Sequence, residues 1–263
     1  MHQDVIISVR DLVVRFGDYL VFSDVSYDVH EGEIFVILGG SGCGKSTMLK
    51  HLIGQLVPES GTIRVVGETL TGCSEETYAR ILRSIGVMYQ GGALFGSMTL
   101  AENVALPVLE YTELTRAEAL DLARIKLGLV QLDGFEEHLP SEISGGMMKR
   151  AAIARALALN PKVLFLDEPS AGLDPITSAE LDRLILSLND KLGTTIVVVT
   201  HELSSIFNIA QRVIFLDKQS KSIIAEGNPR YLRDHSQHPF VRRFFHSESV
   251  VHAAPGPKAG RGD

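Results

Sequence analysis

The sequence predicts an α/β fold: a mixed, mainly parallel sheet with an antiparallel β subdomain near the N-terminus and an inserted helical subdomain. Three observations carry this prediction. Apolar runs of strand length alternate with helical patterns along most of the 263 residues. A glycine-rich turn, 39–46, joins one such strand to a helix. The stretch 90–161 has helical patterns but no strand-like run, which indicates an insertion beside the sheet.

The first strands are predicted from alternating apolar and polar residues, the pattern of strands with one face in water. Apolar residues alternate over 5–9 and again over 20–29, and Gly17-Asp18 supplies the turn between the two strands. A further strand is predicted at 61–67, bounded by a glycine at each end. These strands form the antiparallel part of the prediction.

The middle of the chain is predicted to be largely helical. Ser74 is a natural N-cap for a helix that continues to Ser84, and 85–89 returns to a strand. Thr115 and Glu118 form the capping-box pattern that begins another helix. The alternation then resumes, with strands at 163–166, 194–200 and 212–216 and a helix at 175–192.

The C-terminal segment changes character. Residues 236–245 concentrate three Phe and two Arg, which leaves two interpretations open: a final helix that covers the core, or a docking surface for a partner. Residues 252–263 are rich in Gly, Pro and Ala and are predicted to be disordered.

Composition limits the classes of function. The formal net charge of −7 argues against a nucleic-acid coat, so no nucleic-acid partner is expected. Two cysteines cannot form a disulfide framework or a metal cluster and suit a reducing cytoplasm. No apolar run approaches the roughly 18 residues of a membrane span, and Met1-His2-Gln3-Asp4 does not begin a secretory signal.

The glycine-rich turn matches the phosphate-binding pattern G-x-x-x-x-G-K-[ST] at every fixed position. Glycines allow successive main-chain N–H groups to point inward at phosphate oxygens, and the following helix adds its positive N-terminus. Lys45 would reach the β- and γ-phosphates, and the Ser46 hydroxyl would bind Mg²⁺. A chance glycine turn is the alternative. The predicted nucleotide-binding residues here are Gly39, Gly40, Ser41, Gly42, Cys43, Gly44, Lys45, Ser46 and Thr47.

Four polar residues at predicted strand ends provide the remaining chemistry. Asp167 and Glu168 follow the apolar run 163–166, where Asp167 can hold Mg²⁺ and Glu168 can activate a water. Gln90 ends a strand and can contact both metal and water. His201 follows the strand 194–200 and can bond the γ-phosphate. A strand-to-loop exit and a polar rim histidine are the plainer alternatives.

A second phosphate-binding helix start is predicted at Ser144-Gly145-Gly146, where Ser144 is the N-cap of a strongly helical run. Because the chain already has one phosphate loop, this end is best explained as completing the site of another copy. An ordinary capped helix is the alternative. Phe16 could stack on an adenine ring or fill the core.

Together these motifs resemble the nucleotide-binding subunit of ABC transporters, a P-loop NTPase, over about 5–227. In that family's terms Phe16 resembles the A-loop aromatic, 39–46 the Walker A motif and Gln90 the Q-loop. The segment 143–147 resembles the signature, although Ile143 and Met147 depart from its usual Leu and Gln. Asp167 and Glu168 match Walker B and the catalytic base, and His201 matches the switch histidine. The segment 170–174 matches the D-loop, which adds Asp174 to the nucleotide-binding set.

The resemblance implies a magnesium-dependent ATPase whose homodimer holds two ATP molecules between opposed copies. Ser-Gly-Gly-Met, with 91–95 and 101–107, is similar to the Mla-type ATPases paired with MCE proteins, which move phospholipids between bacterial membranes. A membrane permease, an MCE-type protein and a STAS-domain regulator are then implied partners. The implied location is the cytoplasmic face of the inner membrane. Leu94 and Phe95 would contact the permease or belong to the core.

The expected domain division is an ABC ATPase domain over 1–235, with the helical subdomain at about 95–160, and an extension over 236–263. Other functional classes stay open at this point. One is an ABC importer or exporter ATPase for another substrate. A second is an ABC ATPase that acts on DNA or ribosomes, which the absence of heptads and of a second phosphate loop disfavours. A third is a regulatory binder without hydrolysis, which Glu168 argues against.

Overall fold

The structure, a computed structural model, describes residues 4–246. The predicted disorder of 252–263 lies outside the described residues. Two sheets share the fold, as the sequence predicts. The smaller sheet is antiparallel and has the strand order β2-β1-β4-β5. Its strands are β1 (Val5–Phe16), β2 (Tyr19–His30), β4 (Ser60–Val65) and β5 (Glu68–Thr69).

The larger sheet has the order β10-β9-β3-β8-β7-β6 and is parallel except for the edge strand β10. Its strands are β3 (Ile34–Gly39), β6 (Ile85–Met88), β7 (Val163–Asp167), β8 (Thr195–Val199), β9 (Arg212–Leu216) and β10 (Ile223–Gly227). Every residue of β3 and β8 is buried, as expected of central parallel strands covered on both faces. The carboxyl ends of β3, β6, β7 and β8 therefore meet at one edge.

Helices cover the larger sheet, and three of them begin at the predicted caps Ser74, Thr115 and Ser144. Ser74 accepts a hydrogen bond from Thr77 N, and Thr115 and Glu118 form the predicted capping box. The stretch 90–161 contains three α-helices and a 3-10 turn but no strand. The helices are α1 (Lys45–Leu52), α2 (Glu75–Ser84), α3 (Leu100–Tyr111), α4 (Arg116–Leu129), α5 (Gly145–Ala156), α6 (Pro175–Leu192), α7 (Leu203–Ile209), α8 (Pro229–His235) and α9 (Pro239–His246), with the 3-10 turn at Pro140–Glu142.

Two apolar cores lie on opposite faces of the larger sheet. Alternate residues of β3 divide between them: Ile34, Val36 and Leu38 pack with the helical segment and α6. Phe35 and Ile37 pack with α1 and the antiparallel sheet. The sheet is thus fixed from both sides, which holds its carboxyl edge in place. In the part of the chain from 4 to 246, no helix is long and apolar enough to cross a membrane.

The described part of the chain that follows β9 folds onto this core. The sequence analysis missed two elements there, β10 and α8. The helix α9 supports the first of the two interpretations for the Phe/Arg segment, because Val241 and Phe245 are buried. Phe215 of β9 meets the edges of Phe240 and Phe244 at ring-centroid distances of 5.7 and 4.9 Å. Arg242 and Arg243 are exposed on the opposite side of the helix.

Candidate functional site

The glycine-rich turn leaves β3 and enters α1 in a conformation that two of its glycines make possible. Gly39 has φ 152° and Gly44 has φ 102°, a region that disfavours L side chains. A Cβ at Gly39 would lie 2.5 Å from the Leu216 carbonyl oxygen, and one at Gly44 would lie 2.6 Å from Phe22 Cζ. Gly44 is the N-cap of α1 and brings no side-chain hydrogen bond. The first-turn N–H groups of α1 therefore have no side-chain cap, as a phosphate-binding helix start requires.

A cavity of about 680 Å³ opens at this edge of the sheet and brings most of the predicted site together. Its lining includes these predicted residues: Phe16, Gly39, Gly40, Ser41, Gly42, Gly44, Lys45, Ser46, Thr47, Gln90, Glu168 and His201. Lys45 Nζ donates to the Gly39 and Gly40 carbonyl oxygens at 2.8 and 3.3 Å, so it lies over the loop. The volume suits a small organic ligand.

Cys43 is the member of the loop that does not line the cavity. Its side chain is 3% exposed and packs behind the loop, and burial raises the pKa of its thiol. Any contribution of Cys43 to phosphate binding therefore comes from its main chain. The sequence pattern predicts the position of this residue but not the direction of its side chain.

The two carboxylates sit at the end of β7 on tightly held main chain. Glu168 has φ 46°, and its N–H donates to the Val199 carbonyl oxygen at 2.8 Å. Its side chain is almost buried, and Oε1 lies 2.8 Å from His201 Nδ1. Glu168 and His201, two of the predicted site residues, are therefore in direct contact. The other carboxylate oxygen, Oε2, has no hydrogen-bond partner within residues 4–246.

Asp167 lies half-buried next to Glu168 and does not line the cavity directly. Burial raises the pKa of its carboxyl, and the negative charge of Glu168 raises it further, whereas Lys50, Lys149 and Lys45 oppose the shift. Asp167 Oδ1 is buried without a hydrogen-bond partner among the described residues. A buried carboxylate oxygen is costly unless something completes it. Oxygen donors from Ser46, Gln90 and Asp167 are those that Mg²⁺ prefers, so this donor set fits the metal.

Apolar side chains, most of them aromatic, line the other side of the cavity. The sequence analysis predicted one of them. Phe16 is 50% exposed and lines the cavity, so it is not the core residue of the alternative interpretation. Tyr19, Val21 and Phe244 also line the cavity and were missed. Tyr19 pairs with Phe16 across the hairpin turn. Because the turn at Gly17-Asp18 was predicted, the position of Tyr19 beside Phe16 could have been predicted as well.

Four predicted site residues lie elsewhere, away from this lining. Ser144 is the N-cap of α5, as predicted, and its hydroxyl accepts a hydrogen bond from Met147 N at 3.3 Å. Asp174 caps α6 in the same way, accepting from Ile176 N and Thr177 N. A Cβ added at Gly146 would lie 2.5 Å from Thr177 Cγ2, so the two helix starts are neighbours. The set Ser144, Gly145, Gly146 and Asp174 thus forms a second surface, and Ser144 and Gly145 are exposed on it.

The permease-contact prediction divides between two environments. Leu94 is partly buried and packs against the core, whereas Phe95 is 51% exposed. Asn103, which the sequence analysis did not single out, is fully buried and holds the turn before α3. Its amide donates to the main-chain oxygens of Phe95, Met98 and Thr99, and its oxygen accepts from Phe95 N.

Known proteins are similar to this chain in sequence and in fold. The family model described as ABC transporter matches residues 22–171. The chain is 41% identical over 250 residues to the probable ribonucleotide transport ATP-binding protein mkl of Mycobacterium leprae, spanning 95% of this chain and 71% of that protein. It is 38% identical to the intermembrane phospholipid transport system ATP-binding protein MlaF of Escherichia coli, spanning 91% of this chain and 88% of MlaF.

Solved structures agree with these relatives. The dimeric ATP-binding cassette MJ0796, bound to ADP and Pi in a post-hydrolysis state, aligns with a TM-score of 0.75 at 30% identity over 84% of this chain and 98% of that one. The cbiO1 protein of Clostridium perfringens, part of the ABC transporter complex cbiONQ, aligns with a TM-score of 0.79 at 26% identity over 94% of this chain and 100% of that one. This chain belongs to the ABC transporter family, as an ATP-binding subunit that hydrolyses ATP.

Proposed function

We propose that this ATPase powers lipid transport between membranes, with phospholipid as the cargo class, through a partner permease. The observation that carries the proposal is the 38% identity to MlaF over 88% of that protein's length. A second relative, mkl, has a name that refers to ribonucleotide transport and is 41% identical over 71% of its length. Ribonucleotide is therefore the competing cargo, and the more complete alignment with MlaF favours phospholipid.

In the proposed mechanism, residues that line the cavity of one chain bind the nucleotide and activate a water. The phosphate loop and Lys45 bind the triphosphate, and Phe16 stacks on the base. Glu168 holds a water through Oε2 and takes its proton while the water oxygen attacks the γ-phosphorus. The bond between the γ-phosphorus and the β–γ bridging oxygen breaks, which leaves ADP and inorganic phosphate. His201 Nδ1 contacts the other oxygen of Glu168, and its second ring nitrogen would face the γ-phosphate.

Magnesium would be held by Ser46, Gln90 and Asp167. When bound, it neutralises charge on the β- and γ-phosphate oxygens. The buried, unpartnered Oδ1 of Asp167 supports this role. Because burial raises the pKa of Asp167, the nearby lysines help to keep it ionised for the metal.

A homodimer is the proposed active form. The start of α5 is exposed and lies outside the chain's own cavity, so it is available to the triphosphate bound by a second copy. The solved structure of MJ0796 is also dimeric, which supports a dimeric active form. Ser144, Gly145 and Gly146 would donate to the γ-phosphate of that ATP, and Asp174 would lie next to it.

Mixing two inactive variants tests the shared site. Lys45→Ala removes the cation from the phosphate loop, and Ser144→Arg blocks the start of α5. Each variant alone is expected to be inactive, but a mixed dimer contains one cavity with an intact loop and an intact opposed α5. We expect the mixture to recover roughly a quarter of wild-type activity, given one working site in half of the dimers. A mixture that stays inactive would contradict the shared site.

The remaining proposal concerns the assembly. The partners are a permease, an MCE-type protein and a STAS-domain regulator, and the location is the cytoplasmic face of the inner membrane. Phe95 and the helical subdomain at about 95–160 would contact the permease, within an ABC ATPase domain of 1–235 and an extension of 236–263. Co-purification with a detergent-extracted permease, followed by transfer assays with labelled phospholipid or ribonucleotide between vesicles, distinguishes the two cargoes. Transfer of ribonucleotide alone would overturn the lipid proposal.

A further inference from the structure

The helix α5 holds the main chain that follows β6 through two cationic side chains. Lys149 Nζ donates to the main-chain oxygen of Gln90. Arg155 donates through Nη1 to the Ala93 oxygen at 2.6 Å and through Nη2 to the Gly92 oxygen at 2.8 Å. Residues 90–93 therefore run along the side of α5.

Packing and conformation fix this contact further. Gly92 has φ 75°, and a Cβ added there would lie 3.5 Å from Ala152 Cβ of α5. Ala93 also adopts a positive φ, 52°, which an L residue adopts only when its surroundings hold it. The loop thus needs the ties that α5 provides.

Lys149 is a charged residue in a buried position, which is unusual for a contact that is only structural. It is 9% exposed, and it forms no ion pair within 4 Å among the described residues. The two carboxylates at the end of β7, Asp167 and Glu168, stabilise its charge from beyond ion-pair distance. A buried ammonium held on a single carbonyl oxygen is costly, which points to a role beyond packing.

The position of Lys149 on α5 connects two sites. Ser144 caps the same helix five residues earlier, which corresponds to about 8 Å along the axis. A short α-helix moves as a rigid unit, so a displacement of its start carries Lys149 with it. We propose that Lys149 is a positioning residue that couples engagement of the start of α5 by a second copy to the placement of Gln90 in its own chain's cavity. This inference rests on the proposed shared site.

The test compares two neighbouring cations of α5. Lys149→Met removes the tie to Gln90. Arg150→Met is the matched control, because Arg150 instead binds Gln131 Oε1 and Glu180 Oε2, at 2.8 and 3.0 Å, away from the loop. Lys149→Arg keeps the charge and a donor and serves as the conservative variant.

The first readout is hydrogen exchange of nucleotide-free protein. Lys149→Met is expected to accelerate amide exchange in 90–93, and Arg150→Met to leave that segment unchanged. The second readout is steady-state ATP hydrolysis. Misplacing Gln90 is expected to lower kcat roughly tenfold to hundredfold in Lys149→Met, with KM within about twofold of wild type. Lys149→Arg is expected to restore most of kcat.

Two results would overturn the coupling. One is unchanged exchange at 90–93 in Lys149→Met; the other is a kcat equal to that of Arg150→Met. If Lys149→Met does not fold, Lys149→Gln is measured in the same way, with the same two outcomes. Failure of the variant mixture described above would instead contradict the shared site while leaving the exchange result intact. The two failures are therefore distinguishable.

Discussion

Two helices of this chain begin at glycine-rich turns, and the two starts differ in what surrounds them. Gly44 begins α1 at φ 102° without a side-chain cap, inside a cavity that the same chain encloses. Ser144 begins α5 with its hydroxyl on Met147 N, on an exposed surface outside that cavity. The first start faces a cavity of its own chain, whereas the second would be completed by another copy under the proposed shared site. Two helix starts of similar local sequence thus lie in different surroundings.

The largest expected effect separates nucleotide binding at the start of α1 from the chemistry beside it. Glu168→Gln removes the proposed base but keeps the loop, Lys45 and Ser46. We expect kcat to fall about 10²- to 10⁴-fold, while ATP binding persists and ATP-bound dimers accumulate. Equilibrium binding, size-exclusion chromatography with ATP and steady-state hydrolysis measure the three quantities. Unchanged turnover would show that Glu168 is not the base.

A pair of glycine substitutions tests how far the two starts differ in packing. Gly44→Ala places a Cβ against Phe22 in a strained conformation and is expected to cost about 3 kcal/mol of unfolding free energy. Gly145→Ala meets only Leu173 Cδ2, at 3.9 Å, and is expected to change stability by less than about 1 kcal/mol. Urea unfolding of both variants provides the measurement. Equal losses of unfolding free energy in the two variants would show that the two helix starts do not differ in packing.

The two serine caps offer a finer test, because Ser74 caps α2 as Ser144 caps α5. Replacing either serine with Ala is expected to cost about 1 kcal/mol of stability through the lost hydrogen bond. Only Ser144→Ala is expected to lower kcat as well, with ATP binding by the single chain unchanged. A fall in kcat of the same size in Ser74→Ala would assign the effect to stability rather than to the site.

The smallest effect concerns the thiol behind the first loop. Burial raises the pKa of Cys43, so less thiolate is present near neutral pH and alkylation is expected to be slower than at Cys73. The rate at Cys43 should keep rising beyond about pH 8.5, where an ordinary thiol is half ionised. Peptide mass spectrometry after timed alkylation measures both sites. Equally fast labelling would mean that the loop does not cover Cys43.

Local chemistry explains why much of the fold was predictable. The N-caps Ser74, Thr115 and Ser144 lie at the predicted helix starts, because a cap needs only neighbours in sequence. The buried strands were visible as apolar runs for the same reason. In contrast, β10 was missed because the partly buried run 223–227 becomes a strand only by pairing with β9. The helix α8 was missed although its start carries a local signal, the cap Asn228 followed by Pro229.

The candidate site divides in the same way. Gly39, Lys45 and Glu168 follow patterns of residue type and spacing, so their gathering in one cavity could be anticipated. Phe244 and Lys149 could not be anticipated, because their placement depends on how α9 and α5 pack against the sheet. The placement of these two residues leaves no periodic or spacing signal in a single sequence.

The aromatic cluster around Phe215 has a practical consequence for work on this protein. Because α9 covers Phe215 and Phe244 lines the cavity beside the glycine-rich turn, the last described helix contributes to the proposed nucleotide site. Shortened versions that end before Pro239 would expose the apolar side chains around Phe215 and remove one wall of this cavity. Minimal versions for biochemistry should therefore extend at least through His246.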